Sequence, residues 1–556
     1  ILRRGSVNVP TPGPKAGVTG PTSRTFTVGT SAAALLENPL WYAAKYARSD
    51  WDTENNATGA AGADGIPDNF FKVTNPAGLS AALGRVFEKA AAADASASAI
   101  ATNSTRLDTD THVYQALFST PGWHGELRAI PLDANGVAGT ASWEASSQIP
   151  AAASRNITTW NGLAWNHVSG IGLDFVWGSL TATQKNDIDA ANAANASSPI
   201  LNYLRGDQSQ EKPSGAYRKR DTLLGDIVNS DPHYVAIESY GYDQPGSGLP
   251  LAEQVAYTTF RTTAKAARKK ALYVGANDGM LHAIDAASTT ALGGGAELFT
   301  YVPNAVIPNL KNLASPDYQH QYFVDGSPNS GDAYLSGAWK TILLGTLGAG
   351  GKAVFALDIS DPDVFDASKV LWEFTDSTDL GHIMGRAFVA RMNNGHWYAV
   401  FGNGYNSAGG KAVLFLVPLD KSLGLPVIKI DTGVGTDNGL SEPALLDTNG
   451  DRIIDAIYAG DLKGNVWKFD VSGDNSGSPA ASTWQIAYKS GSTPAPLFKA
   501  AIGAVDQPIT GPLEIGAPPR PLPGLVARVT DRVAEGPVDA GGVAGRRHGV
   551  RVDRPR

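Results

Sequence analysis

Side chains that carry oxygen are concentrated in one nine-residue stretch, residues 447–455, with the sequence Asp-Thr-Asn-Gly-Asp-Arg-Ile-Ile-Asp. Oxygen donors recur at its positions 1, 3, 5 and 9, and a main-chain carbonyl can contribute at position 7, which is the order of ligands at the start of an EF-hand loop. Calcium takes about six to eight oxygen ligands at ~2.4 Å, so this spacing predicts a Ca2+ site. The five predicted ligands are Asp447, Asn449, Asp451, Ile453 through its carbonyl, and Asp455.

Two residues depart from the EF-hand pattern. Arg452 stands at position 6, where an EF-hand has glycine, and Tyr458 stands at position 12, where an EF-hand has a bidentate glutamate. The flanking residues 443–446 and 456–458 have the composition of strands, so we expect the loop to join two strands of a hairpin and not two helices. The alternative is that its carboxylates form a solvated acidic turn without a metal ion.

A second acidic stretch, residues 50–68, contains several carboxylates and glycines at irregular spacing. Because calcium loops place their ligands at alternate positions, this irregularity favours a solvated linker. A degenerate cation loop is the alternative.

A possible adhesion motif lies in a polar segment, where Arg205, Gly206 and Asp207 form the tripeptide that integrins recognise. A match of three residues arises by chance in long chains and is weak evidence by itself. The two interpretations are an adhesive site and a chance tripeptide.

Composition excludes several kinds of active site. The chain of 556 residues has no cysteine, which excludes disulfides, thiolate metal sites and a cysteine nucleophile. The nine histidines do not cluster at metal-binding spacing, and His282 is predicted to be a packed core residue on a strand. The sequence contains no nucleophile elbow, phosphate-binding loop or zinc-protease motif. A net charge of −8 disfavours a nucleic-acid partner, and no long apolar run predicts a transmembrane segment.

One unit recurs along the chain: a strand, a turn that contains glycine, and a second strand that ends in an aliphatic residue followed by aspartate. The copies occupy residues 271–285, 343–358, 400–420 and 456–470. Repeats of this kind, with inserted loops between them, predict a mainly β protein with the blades of a β-propeller. An unrelated set of hairpins in a sandwich is the alternative.

The segments outside the repeats differ in composition. Residues 32–47 and 79–101 have helical periodicity, and a polar insertion with helical patches is expected at about 178–222. The final stretch has eight arginines, no lysine and no aromatic residue, which suggests a disordered or frameshifted tail. The expected parts are a linker (1–30), a helical end of a domain that begins upstream (31–105), the propeller (106–516) and the tail (517–556).

Several of these stretches resemble the PilY/PilC family of type IV pilus proteins. The similar segments are residues 225–232 (Gly-Asp-Ile-Val-Asn-Ser-Asp-Pro), 273–282, 323–328 (Phe-Val-Asp-Gly-Ser-Pro) and 458–470, the last directly after the acidic loop. The resemblance covers residues 30–516. It implies a modified propeller of about seven blades, here C-terminally truncated, with one calcium ion in the loop at 447–455. It also implies that residues 31–105 are the end of a von Willebrand A-like domain.

The resemblance further implies a non-enzymatic pilus assembly factor and tip adhesin. Such a protein would be extracytoplasmic, at the outer membrane, cell surface and pilus tip, with pilin or minor pilins, the assembly machinery and host receptors as partners. It would promote pilus extension, surface attachment, twitching motility and virulence, with calcium occupancy opposing retraction.

A propeller dehydrogenase that uses pyrroloquinoline quinone is the alternative function, since its repeats are similar and it also uses calcium. Many such alcohol dehydrogenases stack the cofactor on a disulfide of adjacent cysteines, and this chain has no cysteine. Their calcium ligands are also scattered across blades, whereas the ligands predicted here are contiguous. Both differences favour the pilus interpretation.

Overall fold

The computed structural model describes residues 95–102, 111–120, 122–133, 135–473, 483–516 and 526–529, together with Lys45. By its contacts the chain divides into two units, residues 1–90 and 91–556, and every described residue except Lys45 belongs to the second. Lys45 apart, the predicted linker, the predicted helix at 32–47 and the acidic stretch at 50–68 lie outside the described residues. So does the predicted tail, except for residues 526–529.

Most described strands form five separate sheets. The first consists of β1 (Ala95–Thr102), β2 (His112–Ser119), β3 (His124–Pro131) and β4 (Trp143–Glu144). The second consists of β5 (Ile157–Trp160), β6 (Gly172–Asp174), β7 (His233–Val235), β8 (Ala271–Gly275), β9 (Leu281–Asp285) and β10 (Glu297–Val302). Its spatial order is β6-β5-β10-β9-β8-β7, and only the β5–β10 pair in this sheet is parallel.

The remaining three large sheets follow the order of the chain. The third consists of β11 (Asn329–Leu335), β12 (Ala338–Thr346), β13 (Val354–Asp358) and β14 (Val370–Phe374). The fourth consists of β15 (Phe388–Arg391), β16 (Trp397–Gly402), β17 (Val413–Pro418) and β18 (Ile428–Asp431). The fifth consists of β19 (Ala444–Leu446), β20 (Ala456–Gly460), β21 (Asn465–Asp470) and β22 (Gln485–Ile486), and of the short strand at Phe498–Lys499, which also pairs with β21.

Short strands and helices complete the described structure. The short strands are β23 (Lys489–Ser490), β24 (Thr493–Pro494), β25 (Phe498–Lys499), β26 (Ala501–Ile502), β27 (Val505–Asp506), β28 (Leu513–Gly516) and β29 (Val526–Val529). The α-helices are α1 (Ala182–Asp189), α2 (Pro199–Leu204), α3 (Leu251–Thr262), α4 (Ala264–Ala267) and α5 (Ile307–Leu310). The 3-10 helices are Ser146–Gln148, Ala190–Asn192, Thr290–Leu292, Asn304–Val306, Lys311–Ala314, Gly348–Gly350, Pro362–Val364, Ala367–Lys369 and Lys421–Leu423.

Each predicted repeat forms two neighbouring interior strands of one sheet. The copies at 271–285, 343–358, 400–420 and 456–470 contain β8–β9, β12–β13, β16–β17 and β20–β21, respectively. The central strands are buried on both faces because other parts of the fold pack against each side of the sheet. Several open antiparallel units of this kind are the arrangement of propeller blades, which confirms the predicted fold class over the two-sheet sandwich.

The glycine turns also take the expected form. Gly279 between β8 and β9 and Gly464 between β20 and β21 have φ values of +90° and +76°, which favour glycine. A Cβ atom on Gly464 would lie 2.4 Å from the carbonyl oxygen of Ala500, so this turn also needs glycine for space.

The helical prediction for residues 79–101 is wrong at its C-terminal end. Residues 95–102 form β1, which pairs antiparallel with β2, so the first sheet begins before residue 106. The helical patches predicted at about 178–222 are confirmed, because α1 and α2 lie in this insertion. Residues 526–529 of the predicted tail form β29, which pairs antiparallel with β28. None of the described helices is long and apolar enough to cross a membrane.

Candidate functional site

The acidic loop joins β19 to β20 at one end of the fifth sheet. Ala444 is paired with Tyr458 and Leu446 with Ala456, so the strands are in register on both sides of the loop. This confirms the predicted hairpin position. The main-chain amide of Gly248 donates a hydrogen bond of 2.8 Å to the carbonyl of Asp451, which docks the loop against the segment before α3.

The first carboxylate of the loop organises the backbone that follows it. Oδ1 of Asp447 accepts hydrogen bonds from the amides of Gly450 at 2.6 Å and Asp451 at 3.2 Å, and its Oδ2 accepts from the amide of Arg452 at 2.8 Å. Oδ1 of Asn449 accepts from the amide of Asp451 at 2.9 Å. Aspartate and asparagine stabilise turns in this way, so the first half of the loop is curled by its own side chains.

Arg452 has a φ value of +71°, although it is not glycine. This is the position at which the EF-hand has glycine for a sharp turn. The residue type at this position differs from the EF-hand, but the left-handed backbone conformation is kept and is adopted here by arginine. An L-residue in such a conformation costs about 1–3 kcal/mol, which the surrounding hydrogen bonds must offset.

The three loop carboxylates have different partners. Oδ1 of Asp451 accepts from the amide of Ile453 at 2.9 Å, and Oδ2 of the buried Asp455 accepts from the amide of Thr448 at 2.9 Å. Within the described ranges, none of the three carboxylates forms an ion pair, and no three acidic or histidine side chains converge closely enough to hold a metal ion. The calcium site therefore stays a prediction.

The chemistry of the donors nevertheless fits a hard divalent cation. Asp447, Asp451 and Asp455 with Arg452 give residues 447–455 a net charge of −2 (three negative, one positive). Oδ2 of Asp447 accepts one hydrogen bond and retains a lone pair, whereas Oδ2 of Asp455 already accepts hydrogen bonds from both the amide and the hydroxyl of Thr448. The predicted ligands thus lie on one hydrogen-bonded turn, and one of them, Asp455, is bonded to a threonine.

The tripeptide at 205–207 lies at the end of α2. Gly206 is buried, and the guanidinium of Arg205 donates hydrogen bonds to the carbonyls of Phe175, Ala152 and Arg155, at 2.8, 2.9 and 3.1 Å. These bonds give Arg205 a structural role and hold its side chain against the fold. Integrin recognition by Arg205, Gly206 and Asp207 stays a prediction, and this geometry does not favour it.

His282 lies in a buried charge cluster that sequence reasoning did not identify. It is fully buried, as predicted for a core residue, and its ring nitrogens contact Glu297 and Asp278, each at 3.0 Å. Burial alone would lower the pKa of His282, but attraction to Asp278 and hydrogen bonds to both carboxylates outweigh it and raise the pKa to about 9. Arg155 completes the cluster with two hydrogen bonds of 2.7 Å to Glu297.

The segments 225–232 and 323–328, two of those that carried the family resemblance, are bonded to each other. Asn229 donates to Asp325 from its amide at 3.2 Å and from Nδ2 at 2.7 Å, and the hydroxyl of Ser230 donates to the carbonyl of Gly326 at 3.0 Å. Burial raises the pKa of Asp325 to about 6, despite these hydrogen bonds. The two segments therefore form one polar joint between the second and third sheets.

Comparison with known proteins gives a consistent result. A family model described as the PilY1 beta-propeller domain matches residues 224–510, which contain the acidic loop. A type IV pilus biogenesis factor PilY1 homolog of Xylella fastidiosa is 36% identical over 564 residues, which cover 92% of this chain and 36% of the relative. The type IV pilus biogenesis factor PilY1 of Pseudomonas aeruginosa strain PAK is 34% identical over 513 residues, which cover 84% of this chain and 42% of that protein.

A solved structure is also similar to part of the chain. The crystal structure of the Pseudomonas aeruginosa PilY1 C-terminal domain matches with a TM-score of 0.42 and 34% sequence identity, over 53% of this chain and 58% of that one. The chain spans well under half the length of the two curated relatives described above.

Proposed function

Since the chain belongs to the PilY1 family, we propose that it acts in type IV pilus biogenesis and that its propeller binds one calcium ion. The observation that carries the proposal is the family match over residues 224–510, which includes the acidic loop at 447–455. The proposed pilus role rests on the similarity to the two PilY1 relatives. The proposed calcium binding rests on the acidic loop. The two parts rest on different observations and can fail separately.

Calcium would be held by Asp447, Asn449, Asp451, the carbonyl of Ile453, and Asp455. The proposal is supported by the oxygen-only donor set, by the turn at Arg452 and by the net negative charge of the loop. The ion would supply positive charge among carboxylates that form no ion pair in the described part of the chain. Its binding would order the junction between β19 and β20, because an ion that binds only the folded loop stabilises it by mass action.

The location and partners follow from the same role. We place the protein outside the cytoplasm, at the cell surface and the pilus tip, in contact with pilins or minor pilins and the assembly machinery. Calcium occupancy would oppose pilus retraction and so affect surface attachment and twitching motility. Host receptors would be further partners.

We further propose that the role is non-enzymatic. A quinone-dependent dehydrogenase is the competing function. Adding pyrroloquinoline quinone and calcium to the purified protein, and recording its absorbance with alcohol-dependent dye reduction, separates the two. A bound quinone spectrum with dye reduction would overturn the non-enzymatic role.

Genetic complementation tests the pilus role and the calcium role separately. A host strain that lacks its own copy of the gene receives the full-length gene with the wild-type loop, with Asp451→Ala, or with the control Asp133→Ala. Asp133 is an exposed aspartate that accepts hydrogen bonds from the amides of Asn135 and Val137 in a turn outside the acidic loop. Its replacement therefore controls for the loss of an aspartate that stabilises a turn.

We expect the wild-type gene and the Asp133→Ala control to restore normal surface pili and twitching. We expect the Asp451→Ala gene to give abnormal surface pili or abnormal twitching. If the wild-type gene does not change the number of pili, the pilus role is wrong. If the loop variant loses calcium binding in calorimetry but supports normal pili and retraction, only the regulatory role of calcium is wrong.

A further inference from the structure

Helix α3 begins without the side-chain cap that usually stabilises the N-terminus of a helix. Its N-cap residue is Pro250, whose side chain has no acceptor for the amides of the first turn. The first amides of a helix have no partner within the helix, so an uncapped first turn opens easily unless other parts of the fold hold it. The contacts of the first turn of α3 therefore decide how often it opens.

The segment before α3 lies against the acidic loop. The amide of Gly248 donates a hydrogen bond of 2.8 Å to the carbonyl of Asp451. A Cβ atom on Gly248 would lie 3.1 Å from Oδ2 of Asp451 and 3.0 Å from Cδ1 of Ile453, so the segment and the loop are in close contact. Asp451 and Ile453 are two of the five predicted calcium ligands. The segment thus contacts the part of the loop that an ion would fix in place.

A side chain of α3 extends this contact into the helix. Nε2 of Gln254 donates hydrogen bonds to the carbonyl of Leu249 at 2.7 Å and to the carbonyl of Ser247 at 3.3 Å. These two residues flank Gly248, which is bonded to the loop. Gln254 therefore ties the first turn of α3 to the segment that the loop holds.

A second connection runs through the fourth sheet. The carbonyl of Arg391 accepts a hydrogen bond from the amide of Ile454 in the loop, and the guanidinium of Arg391 lies 3.5 Å from Oε2 of Glu253 in α3. The side chains of this ion pair are only 9% and 15% exposed, so solvent ions screen it weakly. Both connections from the loop therefore end in the first turn of α3.

The later part of α3 is held independently of the loop. The hydroxyl of Tyr257 donates to Oδ2 of Asp332 at 2.7 Å, and Lys265 of α4 donates to the same oxygen at 2.6 Å; all three side chains are fully buried. In the first turn itself, Nε1 of Trp339 donates to the carbonyl of Glu253 at 2.8 Å. The first turn can therefore loosen while the rest of the helix stays in place.

We propose that the acidic loop controls the order of the first turn of α3, so that calcium in the loop keeps this turn closed. The inference rests on the proposed calcium binding. An ion held by Asp451 and Ile453 fixes the residues that Gly248 contacts, so opening of the turn is coupled to loss of the ion. Leu251 and Val255 are 74% and 60% exposed and lie on one face of this turn, so calcium also sets the order of an exposed apolar pair.

Hydrogen–deuterium exchange of the full chain, with and without calcium, tests the proposal. At a calcium concentration of about 100 times the Kd, an opening that requires loss of the ion becomes about 100-fold rarer, which sets the upper limit of the effect. We expect exchange to slow about 10- to 100-fold in the loop and in the first turn of α3, and to stay unchanged in α1. Asp451→Ala should abolish the slowing in both places.

Glu253→Gln tests the connection through Arg391, because it keeps the size of the side chain and removes its charge. The slowing at α3 should become about 2- to 10-fold smaller, the range for one such interaction, while the loop keeps its own response. Any direct effect on the helix is present with and without calcium and cancels in the ratio. Gln254→Ala removes the other side-chain connection and supplies the test if Glu253→Gln does not fold.

Glu211→Gln is the matched control. Glu211 forms an ion pair of 2.7 Å with Arg220, and both side chains are mostly buried. This pair lies outside α3 and the acidic loop, so its loss should leave the response of α3 to calcium unchanged.

The results separate this inference from the calcium site itself. Calcium binding in calorimetry with slower exchange in the loop alone overturns the coupling and leaves the site intact. Equal slowing in α1 also overturns it, since calcium would then stabilise the whole fold. Full slowing at α3 in the folded variants Glu253→Gln and Gln254→Ala overturns it as well. Absence of calcium binding in calorimetry overturns the site and the coupling together.

Discussion

The main-chain amide of Ile454 donates a hydrogen bond of 3.0 Å to the carbonyl of Arg391. This bond joins the acidic loop of the fifth sheet to the first strand of the fourth. Asn393 strengthens the connection, because its Nδ2 donates to the carbonyls of Ile454 at 2.9 Å and Val471 at 3.0 Å. The loop thus belongs to the junction between two blades, and its order affects both.

Calcium should stabilise the wild-type protein through this junction. At a calcium concentration of about 100 times the Kd, mass action adds about 2.7 kcal/mol to the free energy of unfolding. Asp451→Ala removes one anionic ligand and should lose most of this gain without unfolding the propeller, whereas Asp133→Ala should keep it. Chemical denaturation with and without calcium, together with calorimetry, measures the effect. Equal calcium affinity in Asp451→Ala and the wild type would refute the site.

The turn at Arg452 gives a prediction about the backbone alone. Its φ of +71° is unfavourable for any residue with a Cβ atom and easy for glycine. Arg452→Ala and Arg452→Gly both remove the guanidinium, so the difference between them isolates the backbone cost. We expect the glycine variant to be more stable than the alanine variant by about 1 kcal/mol in calcium-free denaturation. An alanine variant of equal or greater stability would show that the turn is not strained.

The blades could be predicted because their pattern is local. Glycine turns and aliphatic strands alternate within about fifteen residues, and the copy at 271–285 became β8 and β9 with the predicted ends. Residues 95–102 misled the prediction, since their alanines suit a helix. Pairing with β2 overrides that propensity. The residues near this segment do not show that such a pairing will form.

The candidate sites also differ in whether the local sequence could reveal them. The acidic loop is contiguous and is flanked by residues with the composition of strands, so its position on a hairpin could be predicted from the sequence. The cluster of Arg155, His282 and Glu297 was not visible, because 142 residues separate Arg155 from Glu297 and only the fold brings them together. Asp278 and His282, four residues apart around a glycine turn, were the one local signal.

The buried histidine predicts a pH dependence of stability. The pKa of His282 is about 9 in the folded protein and 6.5 when unperturbed. Since the folded pKa is raised, the stabilisation is fully present below pH 6.5 and is lost as the pH rises toward 9. The difference corresponds to about 3 kcal/mol.

Denaturation between pH 6 and pH 9.5 measures this loss. His282→Gln cannot take up the proton, so it should be less stable than the wild type at pH 6 and should show a flatter profile over this range. A wild-type profile as flat as that of the variant would mean that folding does not shift the pKa of His282.

The tripeptide at 205–207 can be tested as a structural element and as a receptor motif in one pair of variants. Arg205→Ala leaves three main-chain carbonyls without their donor, which should lower the free energy of unfolding by about 1–3 kcal/mol. Asp207→Ala removes the acceptor of one hydrogen bond, donated by the amide of Ser209 near the surface, and should lower the free energy of unfolding by less than about 1 kcal/mol.

Integrins need both the arginine and the aspartate, so an adhesive motif would make both variants lose cell attachment equally. We expect thermal denaturation to separate the two variants, and attachment to integrin-bearing cells to be unchanged by Asp207→Ala. Loss of attachment in that stable variant would establish the receptor function and show that Arg205 can leave its carbonyl partners.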